Sequence, residues 1–182
     1  MLKLCFGMKK LNVTQTSGNA FSHPNFCLDL AGSDSGIDFW FAMGNYWRCI
    51  GGPWGSETYF FTSCDKSGNP VKVKLANGRE TVVTVALTHA GFKYVKRPQV
   101  FQIYKNGEAF YEEGMTGKAT GNHIHCEVAA GLHTSKVKDN TTGVYRMTDE
   151  LMPEECFYVY TPFTTIINDG GIKWKTTDKL EV

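Results

Sequence analysis

Short apolar runs separated by turn-forming residues recur along the chain, and almost no segment shows the 3.6-residue periodicity of a helix. Runs of this kind, bounded by glycine, asparagine, aspartate and proline, are typical of β-strands. The predicted strands are 26–31, 38–43, 46–50, 57–63, 71–75, 80–89, 100–104, 108–111, 123–128, 157–160, 164–167 and 172–175. We therefore expect an all-β fold.

Two Asn-Gly pairs lie between predicted strands, at Asn77-Gly78 and Asn106-Gly107. An Asn-Gly pair in this setting is a strong short-range signal for a β-hairpin, because both central residues of the turn need a positive φ. The sequence therefore predicts two hairpins. The segment 51–55 is rich in glycine and the segment 136–143 is polar, so both are expected to be loops.

The chain shows no linker, internal repeat or low-complexity tract. We expect residues 1–17 to be an N-terminal lead-in, 18–130 a core domain, and 131–182 strands or an extension packed on that core. Within the extension, 149–152 is predicted to form one helical turn that Pro153 stops.

Charge gives no reason to expect nucleic acid or an anionic membrane as a partner, since 19 Lys and Arg nearly cancel 18 Asp and Glu. The sequence contains no run of about 20 apolar residues that would span a membrane. The first residues contain no apolar stretch typical of a signal peptide. We therefore expect a chain made in the cytosol with its six cysteines as free thiols.

His123 and His125 are the first candidates for chemistry, because residues two apart in a strand face the same side. The intervening Ile124, together with Val128, would then face the core. Two neighbouring imidazoles suit zinc, for which neutral imidazole is a good ligand. The alternative is a chance pair on a solvated strand face.

A catalytic zinc usually has three protein ligands, so further donors are needed. Asp29 lies in an apolar run, where an unpaired carboxylate is costly and a cation would compensate it, although a hydrogen-bonded turn acid is the alternative. His23 precedes it in a loop, and His89 ends an apolar run, either as an ordinary strand-end histidine or facing the same site. Cys27 shares a strand face with Asp29 and is either a thiolate ligand or a buried pocket thiol.

These features together resemble a known family. The pattern Thr-Gly-x-x-x-Gly-x-His-x-His-x-Glu-Val at 116–128, the strand end His-Ala-Gly at 89–91, and a histidine shortly before Asp29 are similar to the lysostaphin-like (LytM-type) zinc metalloendopeptidases. Those enzymes cut peptide bonds in bacterial peptidoglycan. The resemblance extends over 18–128 and implies a mostly antiparallel β-sandwich of the duplicated hybrid motif type, with zinc in a groove.

The resemblance also implies a role for each residue. His23, Asp29 and His125 would hold Zn²⁺, and His123 would be the general base that takes a proton from the water that zinc activates. His89 would steady the attacking water or the developing oxyanion.

The sequence departs from the family pattern in four respects. The family places its first histidine four residues before the aspartate, where this chain has Asn25, so His23 can serve only if the backbone bulges near Pro24. The Gly-Thr-Pro that often follows the aspartate strand is replaced by the polar segment 33–38. Cys126 replaces a bulky apolar residue, and Cys27 is an additional donor near the site.

Two further residues are open in the same way. Glu127 lies on the histidine face and is either a residue that orients a ligand histidine or a solvated acid. Trp54 lies in a predicted loop, where it is a candidate for the wall of a peptide groove.

The expected function is therefore hydrolysis of peptide bonds in peptidoglycan stem peptides or cross-bridges. We expect a phage-type lysin or a tail-associated lytic enzyme that acts on the cell wall. One alternative is a degenerate, non-hydrolytic member of the family that binds a peptide or a partner. Another is a structural zinc module, in which Cys27 would close the metal site as a fourth ligand.

Overall fold

The computed structural model describes residues 1–18, 26–32 and 36–181. Within these ranges the chain forms seventeen strands and one short helix. The strands are β1 (Lys10–Gln15), β2 (Leu28–Leu30), β3 (Phe39–Phe41), β4 (Tyr46–Trp54), β5 (Thr58–Cys64), β6 (Val73–Lys74), β7 (Glu80–Thr81), β8 (Val83–Thr88), β9 (Ile103–Tyr104), β10 (Ala109–Glu112), β11 (Ile124–Ala130), β12 (Val137–Lys138), β13 (Tyr145–Arg146), β14 (Glu150–Leu151), β15 (Tyr158–Tyr160), β16 (Thr165–Asn168) and β17 (Lys175–Thr177), and the helix is α1 (Pro153–Cys156).

Nine of the described strands form one large sheet with the order β16-β1-β2-β11-β8-β5-β4-β9, and β14 pairs with β11 beside β2. The pairing of β1 with β16 is parallel, whereas β11 is antiparallel to each of its neighbours. Smaller two-stranded sheets join β10 to β3, β12 to β13, β6 to β7 and, in parallel, β15 to β17. The expected all-β fold is confirmed for the described residues.

The main core lies against one face of the large sheet and is rich in aromatic side chains. Its largest fully buried members are Trp40, Trp47, Tyr59, Tyr111, Phe6, Phe61, Phe110 and Phe157. Strands β5 and β8 are buried at every position, so both of their faces are covered. On β11, Ile124, Cys126 and Val128 enter this core, as the alternation of the strand requires. The other face of β11 is left for His125 and Glu127.

The termini and the cysteines are part of the same packing. Leu4, Phe6 and Met8, from the expected lead-in, lie fully buried in the main core, and β1 belongs to the large sheet. All six cysteines are buried free thiols, as expected. In the described part of the chain, no helix has the length and apolar character needed to cross a membrane.

The first predicted hairpin is confirmed, and the second is wrong. Around Asn77-Gly78, β6 pairs with β7 in antiparallel fashion. Around Asn106-Gly107 the turn forms, but β9 pairs with β4 and β10 pairs with β3. The rings of Tyr104 and Phe110 pack with centroids 5.0 Å apart, so the two strands meet through side chains instead of a backbone ladder.

The prediction of a helical turn at 149–152 is also wrong, because the chain there is the extended strand β14 and Asp149 has a φ of 55°. Pro153 begins helix α1 instead of stopping one. Proline suits the first helical position, since the N–H that it lacks has no partner within the helix there.

Two segments that were expected to be loops contain strands. Strand β4 continues through 51–54 with shifts in its register, and the predicted polar loop 136–143 contains β12. At Gly52, where φ is 113°, a side chain would collide with Thr58 and Tyr59 across the strand pair, so the irregular strand depends on glycine.

Candidate metal centre

Neighbouring strands place the carboxylate of Asp29 beside the imidazole of His125. In the antiparallel pairing of β2 with β11, Asp29 lies directly opposite His125. The Nδ1 atom of His125 is 3.0 Å from Oδ1 of Asp29. Both side chains leave the sheet on the face opposite the main core, because Leu28 and Ile124 beside them are buried in that core.

His123 lies just before β11, where its backbone pairs with Gly114. Its Nδ1 is 2.8 Å from the carbonyl oxygen of Gly121. A carbonyl oxygen only accepts, so Nδ1 carries the proton and Nε2 of the neutral ring has the free lone pair. That Nε2 lies 3.6 Å from Oδ1 of Asp29.

His89 follows β8 directly and has an unusual backbone conformation, with a φ of 84°. Its N–H donates to the carbonyl of Ser56 at 2.9 Å, and its Nδ1 is 2.7 Å from the carbonyl oxygen of Thr116. The ring centroid of His89 is 4.7 Å from that of His123 and 5.9 Å from that of His125. Segments that are far apart in the sequence therefore bring three imidazoles and one carboxylate together.

The histidines differ in their preferred charge. Burial lowers the pKa of His89, and the neighbouring rings of His123 and His125 lower it further, so His89 is neutral near pH 7. Burial alone would also lower the pKa of His125. Hydrogen bonds with Asp29, Cys27 and Glu127 outweigh that effect and raise the pKa of His125 well above its ordinary value.

A buried ion pair lies behind His125. The Nε2 atom of His125 is 2.9 Å from Oε1 of Glu127, and Nζ of Lys136 donates to the same oxygen at 2.6 Å. Burial would raise the pKa of Glu127, but Lys136 and His125 together lower it to about 2. Glu127 is therefore a buried, ionised partner of His125 and not a solvated acid.

Cys27 is buried beside this cluster, and its backbone N–H and C=O are both bonded by the hydroxyl of Ser17. The predicted ligand His23 and the departure at Asn25 both lie outside the described residues. The structure thus brings together Asp29, His89, His123 and His125 of the predicted site.

Among the described residues, no three His, Cys, Asp or Glu side chains form a group that could hold a metal ion. Two donors nevertheless fit a shared zinc. Ligand atoms 2.0–2.1 Å from a tetrahedral zinc stand roughly 3.3 Å apart. The 3.0 Å separation of Asp29 Oδ1 and His125 Nδ1 is close to that spacing. Because Glu127 contacts the other ring nitrogen of His125, it has the place of a carboxylate that orients a metal-bound histidine.

Open cavities lie over these side chains. One of about 370 Å³ is lined by Asp29, His89, His123 and His125, together with Gln15 and the segment 118–120. Another of about 320 Å³ shares Gln15, Asp29 and His123 with it and extends toward Thr14. A small molecule can therefore reach the imidazoles and the carboxylate from solvent.

Some functional groups were not predicted from the sequence. Lys136 lies in a polar segment with no local signal, and only the fold shows that it reaches Glu127. The carbonyl groups of Thr116 and Gly121 set the tautomers of His89 and His123. The turn-forming residues of 116–121 were a signal for these carbonyls. Patterns of side chains, however, do not show where a backbone carbonyl lies.

Comparison with known proteins gives a similarity to a phage protein. The chain is 26% identical to morphogenesis protein 1 of Bacillus phage B103 over 182 aligned positions, which cover 95% of this chain and 44% of the phage protein. The chain thus spans less than half the length of that relative. No protein-family model matches the chain. The similarity connects the chain with a bacteriophage protein.

Proposed function

We propose that the chain is a zinc-dependent endopeptidase that hydrolyses peptide bonds in bacterial peptidoglycan. The observation that carries this proposal is the convergence of Asp29, His123, His125 and His89 on one open cavity. Asp29 and His125 would hold Zn²⁺ together with His23. Zinc would lower the pKa of a water molecule and polarise the peptide carbonyl.

The side chains divide the remaining work. His123 offers a free Nε2 lone pair beside Asp29, so it suits the general base that takes a proton from the attacking water. His89 is neutral, and its Nδ1–H is engaged by Thr116. Its Nε2 can therefore only accept, which favours orienting the attacking water over donating to an oxyanion.

The finer description of the fold and setting belongs to the same proposal. We expect a β-sandwich of the duplicated hybrid motif type with the zinc in a groove. The similarity to a phage morphogenesis protein supports a bacteriophage setting. Within that setting, our proposal is a phage lysin or tail-associated enzyme that acts on the cell wall. The chain corresponds to only part of that relative, so the proposal concerns the activity of this part.

A product assay tests the reaction. Purified bacterial walls of several cross-link types would be digested, and new amino groups and new reducing sugars would be counted in the same digest. The proposal expects amino groups without reducing sugars, and the new N-terminus would name the bond. Reducing sugars alone would mean a glycosidase. No product from any wall would favour the non-hydrolytic binding module, to which the Asn25 substitution also points.

Metal content separates the roles of the two neighbouring histidines. We expect His125→Ala to lose both zinc and activity, because a ligand is removed. His123→Ala should keep zinc and lose activity, because only the base is removed. Elemental analysis of both purified variants provides the measurement. Zinc retained at the wild-type level in His125→Ala would contradict the assignment.

A further inference from the structure

A third cavity, of about 620 Å³, opens on the side of His89 and His125 away from Asp29. We call it the Trp54 pocket. Its walls include Trp54, Val144 and Tyr145, and Lys118 and Lys136 also line it. Because His89 and His125 line both this pocket and the cavity over Asp29, a peptide in the reaction site would extend directly into it.

Two distant segments build the apolar wall. Trp54 ends β4 and Tyr145 lies in β13, and their rings meet edge to face with centroids 5.3 Å apart. Tyr145 is 49% exposed and Val144 is 38% exposed, so apolar surface remains uncovered at the pocket. An apolar wall with few polar groups is typical of a ligand site.

The wall is attached to the proposed metal centre. The ammonium of Lys136 lies 5.7 Å from the centre of the Trp54 ring while it donates to Glu127. Glu127 in turn contacts His125. This connection fixes the position of the pocket relative to the reacting bond.

Charge distinguishes the kind of residue that the pocket would accept. The ion pair between Lys136 and Glu127 is internally compensated. Lys118 is exposed at the pocket and contributes a positive charge. An apolar wall with a cation at its rim complements an aliphatic stem that ends in a carboxylate.

We propose that the Trp54 pocket binds a peptide residue next to the scissile bond, one with an aliphatic stem and a free carboxylate. The stem packs on Trp54 and Tyr145, and the carboxylate pairs with Lys118. This inference rests on the proposed function for the position of the scissile bond.

Calorimetric titration of the intact chain with two synthetic stem peptides tests the proposal. One is alanyl-glutamyl-lysyl-alanine with free carboxylates, and the other is the same peptide with every carboxylate converted to an amide. We expect the free acid to bind about tenfold more tightly, as a charge-assisted contact implies. Lys118→Met should remove this preference, and Tyr145→Ala should weaken the binding of both peptides.

Two variants serve as matched controls. Lys66→Met removes an exposed lysine in a turn, and Phe101→Ala removes a ring that is 68% exposed and lies against Arg48. Neither residue lines the pocket, so both variants should bind like wild type. Equal binding of the two peptides by wild type, a preference retained in Lys118→Met, or binding of neither peptide would overturn the proposal.

The wall digest distinguishes this inference from the proposed function. A carboxylate preference without wall hydrolysis would leave the pocket standing and remove the endopeptidase. Hydrolysis with equal binding of both peptides would leave the endopeptidase standing and remove the pocket's specificity.

Discussion

The imidazole of His125 is held at both ring nitrogens, by Asp29 on one side and Glu127 on the other. A ring that contacts two carboxylates favours a proton on each nitrogen, which agrees with its raised pKa. Binding of zinc at Nδ1 would displace one of these protons, and Glu127 would keep the other in place. Glu127 would therefore orient His125 for zinc.

Replacing Glu127 by glutamine tests this positioning. The amide oxygen can still accept from His125, but the ion pair with Lys136 is lost, so we expect zinc affinity to fall about tenfold. Competition with a chromogenic chelator measures the affinity, and circular dichroism checks the fold. Glu80→Gln is the control, since Glu80 is an exposed acid in β7. Unchanged zinc affinity in a folded Glu127→Gln protein would show that Glu127 has no positioning role.

Single residues also show how much of the candidate site could be predicted from the sequence. The i and i+2 spacing at 123 and 125 and the apolar setting of Asp29 were sufficient to select side chains that the fold brings together. The contact of Lys136 with Glu127 was not predicted, because a lysine in a polar segment does not indicate which partner it reaches.

At the scale of elements, the segment after β10 holds two catalytic candidates in place. Gly114 pairs with His123, and a Cβ at this glycine would overlap the backbone of His89 and of Gly91. The backbones can approach closely only because residue 114 has no side chain. The spacing between His89 and His123 therefore depends on this contact.

We expect Gly114→Ala to push these segments apart. The overlap is with backbone atoms, so relief requires the chain to move, at a cost of about 1–3 kcal/mol in the free energy of unfolding. Wall hydrolysis should fall at least about 100-fold, because small displacements of reacting groups are costly. Urea denaturation and the wall assay provide the two measurements. Gly36→Ala is the control, since no atom of the described residues lies within 4 Å of a Cβ there. Wild-type hydrolysis by Gly114→Ala would contradict the argument.

The predictions of strands and turns were correct where local sequence signals determine the structure, and wrong where long-range packing determines it. The run around Asp29 became β2 because alternation and burial agree there. Asn106-Gly107 did make its turn, but β9 pairs with β4 and β10 pairs with β3, and the local sequence does not specify these distant partners. Pro153 is compatible with two predictions, because a proline can end a preceding helix or begin a following one. Only the extended conformation of β14 decides between them.

At the scale of the whole molecule, the sheet order explains why the site is assembled from distant segments. Strands β2, β11 and β8 are adjacent in the sheet although long stretches of sequence separate them, so Asp29, His125 and Thr88 become lateral neighbours. Turn chemistry and alternation do not specify which strands pair over such distances, because many orders bury the same apolar faces. The resemblance to a family implied that Asp29, His89, His123 and His125 meet at one site, but the strand order itself was not predicted from the sequence.

A second acid, Glu150, lies in a poorly solvated place. Glu150 lies on β14, opposite Ala129 of β11. It accepts a hydrogen bond from the N–H of Phe26 at 3.4 Å. Its Oε1 is buried and has no hydrogen-bond partner among the described residues. Burial, and to a lesser degree the charge of Glu127, raises the pKa of Glu150 to about 7.

This raised pKa makes the stability of the fold depend on pH in a defined direction. Between its ordinary value of 4.5 and about 7, the folded chain keeps a proton on Glu150 that the unfolded chain has released. Stability therefore falls as pH rises through this window.

Glu150→Gln removes the ionisation. We therefore expect the free energy of unfolding of this variant, relative to wild type, to be about 1–2 kcal/mol higher at about pH 8 than at about pH 5. Urea denaturation at both pH values gives this difference, and the exposed Glu155→Gln is the control, for which no such change is expected. An identical difference between Glu150→Gln and wild type at both pH values would mean that Glu150 is ionised in the fold throughout.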